Sequence, residues 1–448
     1  MTHPTKLDST KKQRLKIDSA GTYHALSRSK DYPDTYSITV YLKETLNPDI
    51  LQQAVNDTMK RIPTANVSLK RNFFGVYHEK MPTPPQIEPA EKSPLACNHY
   101  SGYGEHQLRV LYGESFFTLE VMHSVCDGRG LTQILKCLIT HYFELLGIHT
   151  NKVNPADIVC GEPTDPEESE NAFARYGKVT VNPKTKDGKQ TKATHSVPDA
   201  SSIKDAYRLP QQTQQLKQQQ QPYQRQQSHP AVATPLQTST QVIDLASLKP
   251  IAKEHGASIN EYLLTQILLA MAEEREEQHT KEAQGSQLPI VVTIPVDARG
   301  FLPSKTLLNF VVDKKVVMPE GGDEVLQSVR DQFKAVDKDF ILEEVTWVYE
   351  GMKWLGILPK GLQTLFARLL QRIEGRKSST MFSNLGLVKL PPEIEGRIQM
   401  MEFVIGRIYN MPYHFTCVTV GNILTLTTAS TVPNCTIAQR LHRRITQA

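Results

Sequence analysis

The hexapeptide HSVCDG, from His123 to Gly128, sets a histidine four residues ahead of an aspartate and closes on a glycine. Before it, Phe117, Leu119 and Val121 alternate with Phe116, Thr118, Glu120 and Met122, the period of a β-strand, so His123 falls on the Phe117 face. After it, Gly128 and Gly130 permit a sharp turn, and Leu131, Ile134, Leu135, Leu138, Tyr142 and Leu145 recur at helical spacing as far as Gly147. Strand, loop and helix are therefore expected in that order, with a base and a carboxylate carried on the loop between rigid flanks. On these residues alone two readings stand: a catalytic base, or a core histidine bonded to a neighbour beside a plain Asp-Gly turn.

Outward from the hexapeptide, residues 16–160 alternate strand and helix signals. Tyr36 to Leu42 reads as a strand, and Asn47-Pro48 opens a helix with Leu51, Val55, Met59 and Ile62 on one side, ended by Pro63. A second region, 240–448, carries a capping box from Ser258 to Glu261 ahead of an apolar-faced helix through Leu264, Ile267, Leu268 and Met271. Ile290 to Val296 is a nearly continuous apolar run, as in a strand covered on both faces. Further strands are expected at Met400 to Ile405 and Ile423 to Thr428, and a closing helix from Thr436. Between the two regions, residues 161–239 are polar, and eleven of the seventeen residues from Gln211 to Gln227 are glutamine. Such a composition buries too little apolar surface to offset chain entropy, so a disordered linker is expected there, and a flexible tail over residues 1–15.

A chain of 448 residues exceeds one ordinary core and should divide into two domains. Its net charge of +4 is the small difference between 51 basic and 47 acidic residues, and no basic stripe is interleaved with aromatics, so nucleic acid is not an expected partner. The six cysteines, at 97, 126, 137, 160, 417 and 435, form no close pair and no metal-type cluster with histidine, so reduced thiols and no metal site are expected. The opening segment MTHPTKLDSTKKQR is polar and basic, and no apolar run approaches the length of a membrane span. A soluble, cytoplasmic monomer is the expectation. Leu362, Leu365, Phe366, Leu369 and Ile373 form a helical stripe beside Lys360, Arg368 and Arg372, expected as core packing, with docking on a membrane surface as the lesser alternative.

HxxxDG followed by an apolar helix, late in the first of two comparable halves, resembles the CoA-dependent acyltransferase superfamily. That group includes chloramphenicol acetyltransferase, peptide-synthetase condensation domains, plant acyl-CoA acyltransferases and alcohol acetyltransferases. Two later segments carry the same resemblance. IPVDARGFLPSKTLLNF, from Ile294 to Phe310, is similar to the strand and loop of condensation-like and alcohol acetyltransferase-like members, with an arginine and then an Asn-aromatic pair. SNLGLVKLP, from Ser383 to Pro391, is similar to their late Ser-Asn-x-Gly strand.

The resemblance implies an α/β fold of two chloramphenicol-acetyltransferase-like lobes, each a mixed β-sheet with packed helices, enclosing a central channel with His123 at its middle. It implies acyl transfer from acyl-CoA, a co-substrate and not a permanently bound cofactor, to an alcohol hydroxyl, with His123 as general base and no metal. An imidazole of ordinary pKa, about 6.5, is mostly free base at neutral pH and can still hold the transferred proton. Asp127 is implied to pair with an arginine, for which Arg299 is the candidate, and Gly128 to permit the turn. Asn309, Ser383 and Asn384 are candidate oxyanion or substrate contacts, with turn-bonding as the plain alternative for both asparagines.

Met122 stands where condensation domains and wax ester synthases usually show a first histidine, and no DFGWG element is present, which tilts the resemblance towards free-standing alcohol acetyltransferase-like enzymes. The alternatives are an amide-forming enzyme using an amine acceptor or a carrier-bound thioester, and a non-catalytic binding or scaffold descendant of the fold. Cys126 inside the motif reads as packing.

Overall fold

The alternating and β-branched runs become strands and the capped apolar stripes become helices in a computed structural model of the chain. It describes residues 13–90, 99–151, 154–178, 200–208, 236–279, 288–320, 324–411, 413–432 and 436–446. The strands are β1 (Arg14–Leu15), β2 (Thr35–Leu42), β3 (Val67–Asn72), β4 (Gly75–Lys80), β5 (Ile87–Pro89), β6 (Leu108–Tyr112) and β7 (Phe116–Met122). In the second half they are β8 (Gln237–Asp244), β9 (Val291–Asp297), β10 (Val311–Val317), β11 (Thr380–Leu387), β12 (Ile398–Ile405), β13 (Tyr413–Val420) and β14 (Ile423–Ser430). The helices that bear on function are α1 (Ser19–Ser27), α2 (Pro48–Arg61), α3 (Gly128–Leu145), α4 (Ala172–Tyr176), α5 (Ile259–His279), α6 (Lys338–Ile357) and α7 (Lys360–Arg376).

Two larger sheets organise the chain. One has the order β12-β2-β7-β6-β5, antiparallel except for the β5/β6 pair. The other has the order β10-β9-β11-β13-β14-β8, with parallel pairing on both sides of β11. A third, small antiparallel sheet has the order β1-β4-β3, and Val67 of its β3 joins the first core. Each larger sheet has a core. In the first, Ile38, Val40, Phe117 and Leu119 pack with Leu131, Leu135 and Leu138 of α3. In the second, Val292, Phe382 and Phe415 pack with Leu264, Ile267 and Leu268 of α5. The fold is the mixed α/β, two-lobed arrangement that the motifs imply.

The halves interlock more than a simple division of the chain suggests. Strand β12 comes from the second half yet forms the edge of the first sheet, pairing along β2, and its Met401 and Phe403 join the first core. Local starts follow their sequence signals: Asn47 Oδ1 accepts from the backbone N–H of Asp49 and Ile50, and Ser258 and Glu261 bond reciprocally, Ser258 N to Glu261 Oε2 at 2.7 Å and Glu261 N to Ser258 Oγ at 3.2 Å.

Three expectations need correction. The segment 161–239 is not disordered throughout: residues 161–178 and 200–208 are described, and they pack. Phe173 of α4 is fully buried beside Phe310, Ala206 and Tyr207 are buried, and Glu168 takes both ends of the Arg61 guanidinium at 2.8 and 2.7 Å. A few buried anchors suffice to order a stretch that is polar on average. The glutamine tract from Gln211 to Gln227 lies outside the described residues. In the expected tail, Arg14–Leu15 is a strand paired with β4. Last, the stripe Leu362, Leu365, Phe366, Leu369 and Ile373 does not face the core: each is 43–61% exposed.

Candidate active site

His123 stands at the end of β7, where its backbone N–H donates to the carbonyl of Asp34 at 2.9 Å. Asp34 adopts a left-handed backbone, φ 61°, a conformation that aspartate tolerates better than most residues. The loop beyond is pinned by Tyr36, whose hydroxyl donates to the Cys126 carbonyl at 2.7 Å and whose ring lies 4.9 Å from that of His123. Asp127 then caps α3 by accepting from Gly130 N at 2.9 Å.

The other carboxylate oxygen of Asp127 is held from the second half of the chain. Arg299 Nη1 and the backbone N–H of Phe310 each donate to it at 2.8 Å. All three nitrogens of Arg299 are engaged, with further bonds to Asp297, Thr306 O and Leu308 O. Both side chains are almost wholly buried, at 3% and 1% exposure. Burying such a pair costs desolvation, which these hydrogen bonds offset, and breaking it costs more, because removing one partner leaves the other charge buried with fewer partners. Asp127 thus ties the loop to the second half of the chain, with both of its oxygens engaged.

The Arg299 to Phe310 loop also supplies Asn309, whose Oδ1 lies 2.9 Å from His123 Nδ1. Asn309 Nδ2 donates to the His123 carbonyl at 3.0 Å and to Asp18 Oδ2 at 3.1 Å. A carbonyl can only accept, which orients the amide: Oδ1 must face the ring, and His123 Nδ1 must carry the hydrogen. The lone pair is thereby left on Nε2. Burial, with the positive field of His24 added, lowers the His123 pKa to about 4, so the ring is neutral at pH 7. The residue as a whole is nonetheless only partly buried.

A second imidazole completes the cluster. His24 of α1 stacks flat on His123, with centroids 3.9 Å apart and planes 8° from parallel, and its Nδ1 meets Asp34 Oδ2 at 2.8 Å. Burial opposes charge on His24, but the charge and hydrogen bond of Asp34, with Asp18 and Asp313 farther off, outweigh it and raise the pKa. Burial likewise opposes charge on Asp34, and His24 outweighs it to lower that pKa. Asp18, the cap of α1, accepts from Gly21 N at 2.7 Å on one oxygen and from Asn309 on the other. Gly21 is obligatory here: a Cβ would stand 2.8 Å from Ser124 O, inside the backbone of the loop.

Of the residues expected from sequence, His123, Asp127, Arg299 and Asn309 come together. Asn309 is not free to serve a substrate oxygen, since its donors are spent on Asp18 and His123, so it is a positioning residue. Asn384 bonds Asn260 at 3.2 Å and closes a turn onto Gly386 N at 2.7 Å, the plain role for asparagine there. Ser383, its neighbour on β11, is buried. Leu385 of that strand does reach the loop: a Cβ at Gly128 would meet its Cδ2 at 2.5 Å, a contact that a flexible side chain can relieve. Gly130 is the stricter position, because a Cβ there would stand 2.1 Å from the backbone oxygen of Leu307. His24, Asp34 and Asp18 were not expected; an aspartate cap before a small-residue helix signals a helix start and nothing about a site far along the chain. Among the described residues no group of three or more His, Cys, Asp or Glu could hold a metal ion.

No protein-family model and no curated protein matches the sequence. Solved structures do match its shape over nearly the whole chain. Polyketide synthase associated protein 5 from Mycobacterium tuberculosis is similar with a TM-score of 0.58 and 12% identity, over 97% of this chain and 96% of that one. The TRI3 trichothecene 15-O-acetyltransferase from Fusarium sporotrichioides gives 0.57 and 9%, over 97% and 93%. The first condensation domain of the CDA synthetase gives 0.54 and 12%, over 97% and 95%. With its two sheets joined across the His123 loop, the chain therefore has the two-lobed fold that acyltransferases share with peptide-synthetase condensation domains.

Proposed function

We propose that the chain is an acyltransferase that carries an acyl group from acyl-CoA to the hydroxyl of an alcohol, with His123 Nε2 as general base. The lobes would be residues 16–160 and 240–448, with acyl-CoA and acceptor meeting between them. The observation that carries this reading is the Asn309 bond to His123 Nδ1 at 2.9 Å, which leaves Nε2 unprotonated on a residue that is only partly buried. As the acceptor oxygen attacks the thioester carbonyl, its proton passes to Nε2. The new C–O bond forms, the C–S bond breaks, and the imidazolium returns the proton to the leaving thiolate. A low pKa suits the second half of this cycle, since it makes the imidazolium a ready acid, while the first half relies on the close placement of the acceptor. His24, held by Asp34 against the ring face, acts as a positioning residue.

An amine acceptor or a carrier-bound thioester would use the same base and give an amide; the similarity to a condensation domain supports keeping that acceptor class in the assay. Purified protein incubated with short and long acyl-CoA and a panel of alcohols and amines should release free thiol in an acceptor-dependent way. Replacing His123 by alanine should slow that release by about a hundredfold or more. Release absent with every donor, or unchanged in the variant, would point to a binding protein built on the fold.

A further inference from the structure

We propose that the corner formed by α6, α7 and the turn between β3 and β4 docks on an anionic membrane surface. Large apolar side chains concentrate there in solvent. Trp347 and Trp354, seven residues apart on α6, are 59% and 69% exposed, and Ile357 at the end of that helix is 70% exposed. Leu365, Phe366 and Leu369 of α7 are 61%, 49% and 47% exposed. At the β3–β4 turn, Phe73 and Phe74 are 76% and 80% exposed. The turn and the helix pair are one surface, because buried Gln363 donates both to Phe74 O at 3.1 Å and to Leu358 O at 2.8 Å, clamping the turn to the corner between the helices. Apolar groups left outward in such number need an occupant.

Charge identifies it. α6 carries Glu343, Glu344 and Glu350, the last paired with Lys353 at 3.5 Å, whereas from Gly351 to Arg372 the chain has Lys353, Lys360, Arg368 and Arg372 and no acidic residue, so the positive charge of the corner lies on α7. A second copy bound through the same patch would set Lys360, Arg368 and Arg372 of α7 against their own copies, since a two-fold interface meets itself. A surface of anionic lipid headgroups meets both demands: cations engage the headgroups while tryptophan, phenylalanine and leucine enter the boundary with the acyl chains. No helix among the described residues is long and apolar enough to cross a membrane, so attachment would be peripheral. Both helices pack on α1, whose His24 lies on His123, so docking would bring the lipid surface within one helix of the site.

The chain supplies its own reporter, since Trp347 and Trp354 are its two tryptophans and both lie on this face. Mixing the full chain with phosphatidylcholine vesicles containing phosphatidylserine should shift tryptophan emission to the blue, permit quenching by brominated lipid, and sediment the protein with the vesicles. Phosphatidylcholine alone, or high salt, should weaken all three responses. Lys360→Gln with Arg372→Gln should weaken partitioning about thirtyfold, and Leu365→Ser with Phe366→Ser should do so with no change in melting temperature. Unchanged emission with protein left in the supernatant overturns the proposal. So does emission already blue-shifted without lipid in a chain that sediments as a dimer, or as a complex with another protein. Equal partitioning of the neutralised variant also overturns it. None of these readouts depends on acyl transfer, so their failure leaves the proposed activity standing, and the reverse holds.

Discussion

The loop at His123 and the corner at α6 and α7 handle water in opposite ways. At the loop, polar groups are buried and nearly all are bonded: Asp127 to Arg299, Phe310 N and Gly130 N, and Asn309 to Asp18 and to both ends of His123. At the corner, apolar groups stand in solvent, and α7 carries Lys360, Arg368 and Arg372 among its apolar residues. Each arrangement costs stability unless something else repays it. For the loop the return is geometric: two halves of the chain are locked around the His123 ring, whose Nδ1 is held by Asn309. For the corner it must come from outside the molecule.

Mutations should separate the two regions sharply. The largest effect is expected from Asp127→Ala, which leaves buried Arg299 with Asp297 as its remaining carboxylate and uncaps α3; denaturant unfolding should show a loss of about 3–5 kcal/mol. A loss below about 1 kcal/mol would mean that the junction is not what joins the halves. Next, Asn309→Ala should slow acceptor-dependent thiol release by about tenfold or more, a share of what a general base supplies, because Nδ1 loses the partner that fixes the tautomer. Unchanged activity would remove Asn309 from the positioning role.

His24→Gln tests the stacked pair through pH. Burial and the charge of His24 hold the His123 pKa down at about 4, opposed by Asp34 and Asp127. Protonated His123 cannot accept a proton, so kcat/KM should fall as pH drops through about 4 and be flat above it with respect to this group. Removing the positive neighbour raises the His123 pKa, so the acid limb should move to higher pH in the variant. A limb that stays in place would reduce His24 to packing. The smallest effect is expected at the corner: Leu365→Ser should change unfolding free energy by no more than about 0.5 kcal/mol, whereas a loss of several kcal/mol would show that this face is packed in solution.

What was legible in the sequence divides along similar lines. Local periodicity and capping chemistry were sufficient for β7, the turn and α3, for the Asn47 start of α2, and for the Ser258 box. Arg299 and Asn309 entered through a resemblance of motifs, with their contacts 172 and 186 residues away in sequence. His24 and Asp34 carried no such mark, since stacking of one ring on another depends on where α1 lands against the loop. The edge position of β12 was hidden for the same reason: its own pattern announces a strand and says nothing of which sheet it joins. Polar composition misled at Glu168 and Phe173, where a few buried contacts outweigh the average. Helical periodicity misled at Leu365 and Phe366, because it reports that a helix is two-faced and not what meets the apolar side.

The central claim is that His123 Nε2 is the base of an acyl transfer, and its most direct test is a single-turnover comparison of wild type with His123→Ala. With saturating acyl-CoA and an accepted alcohol, the account predicts that the variant binds donor and melts as wild type does. It also predicts that the variant forms ester and free thiol at least about a hundredfold more slowly, with partial recovery on adding imidazole. Equal rates in the two proteins would contradict it.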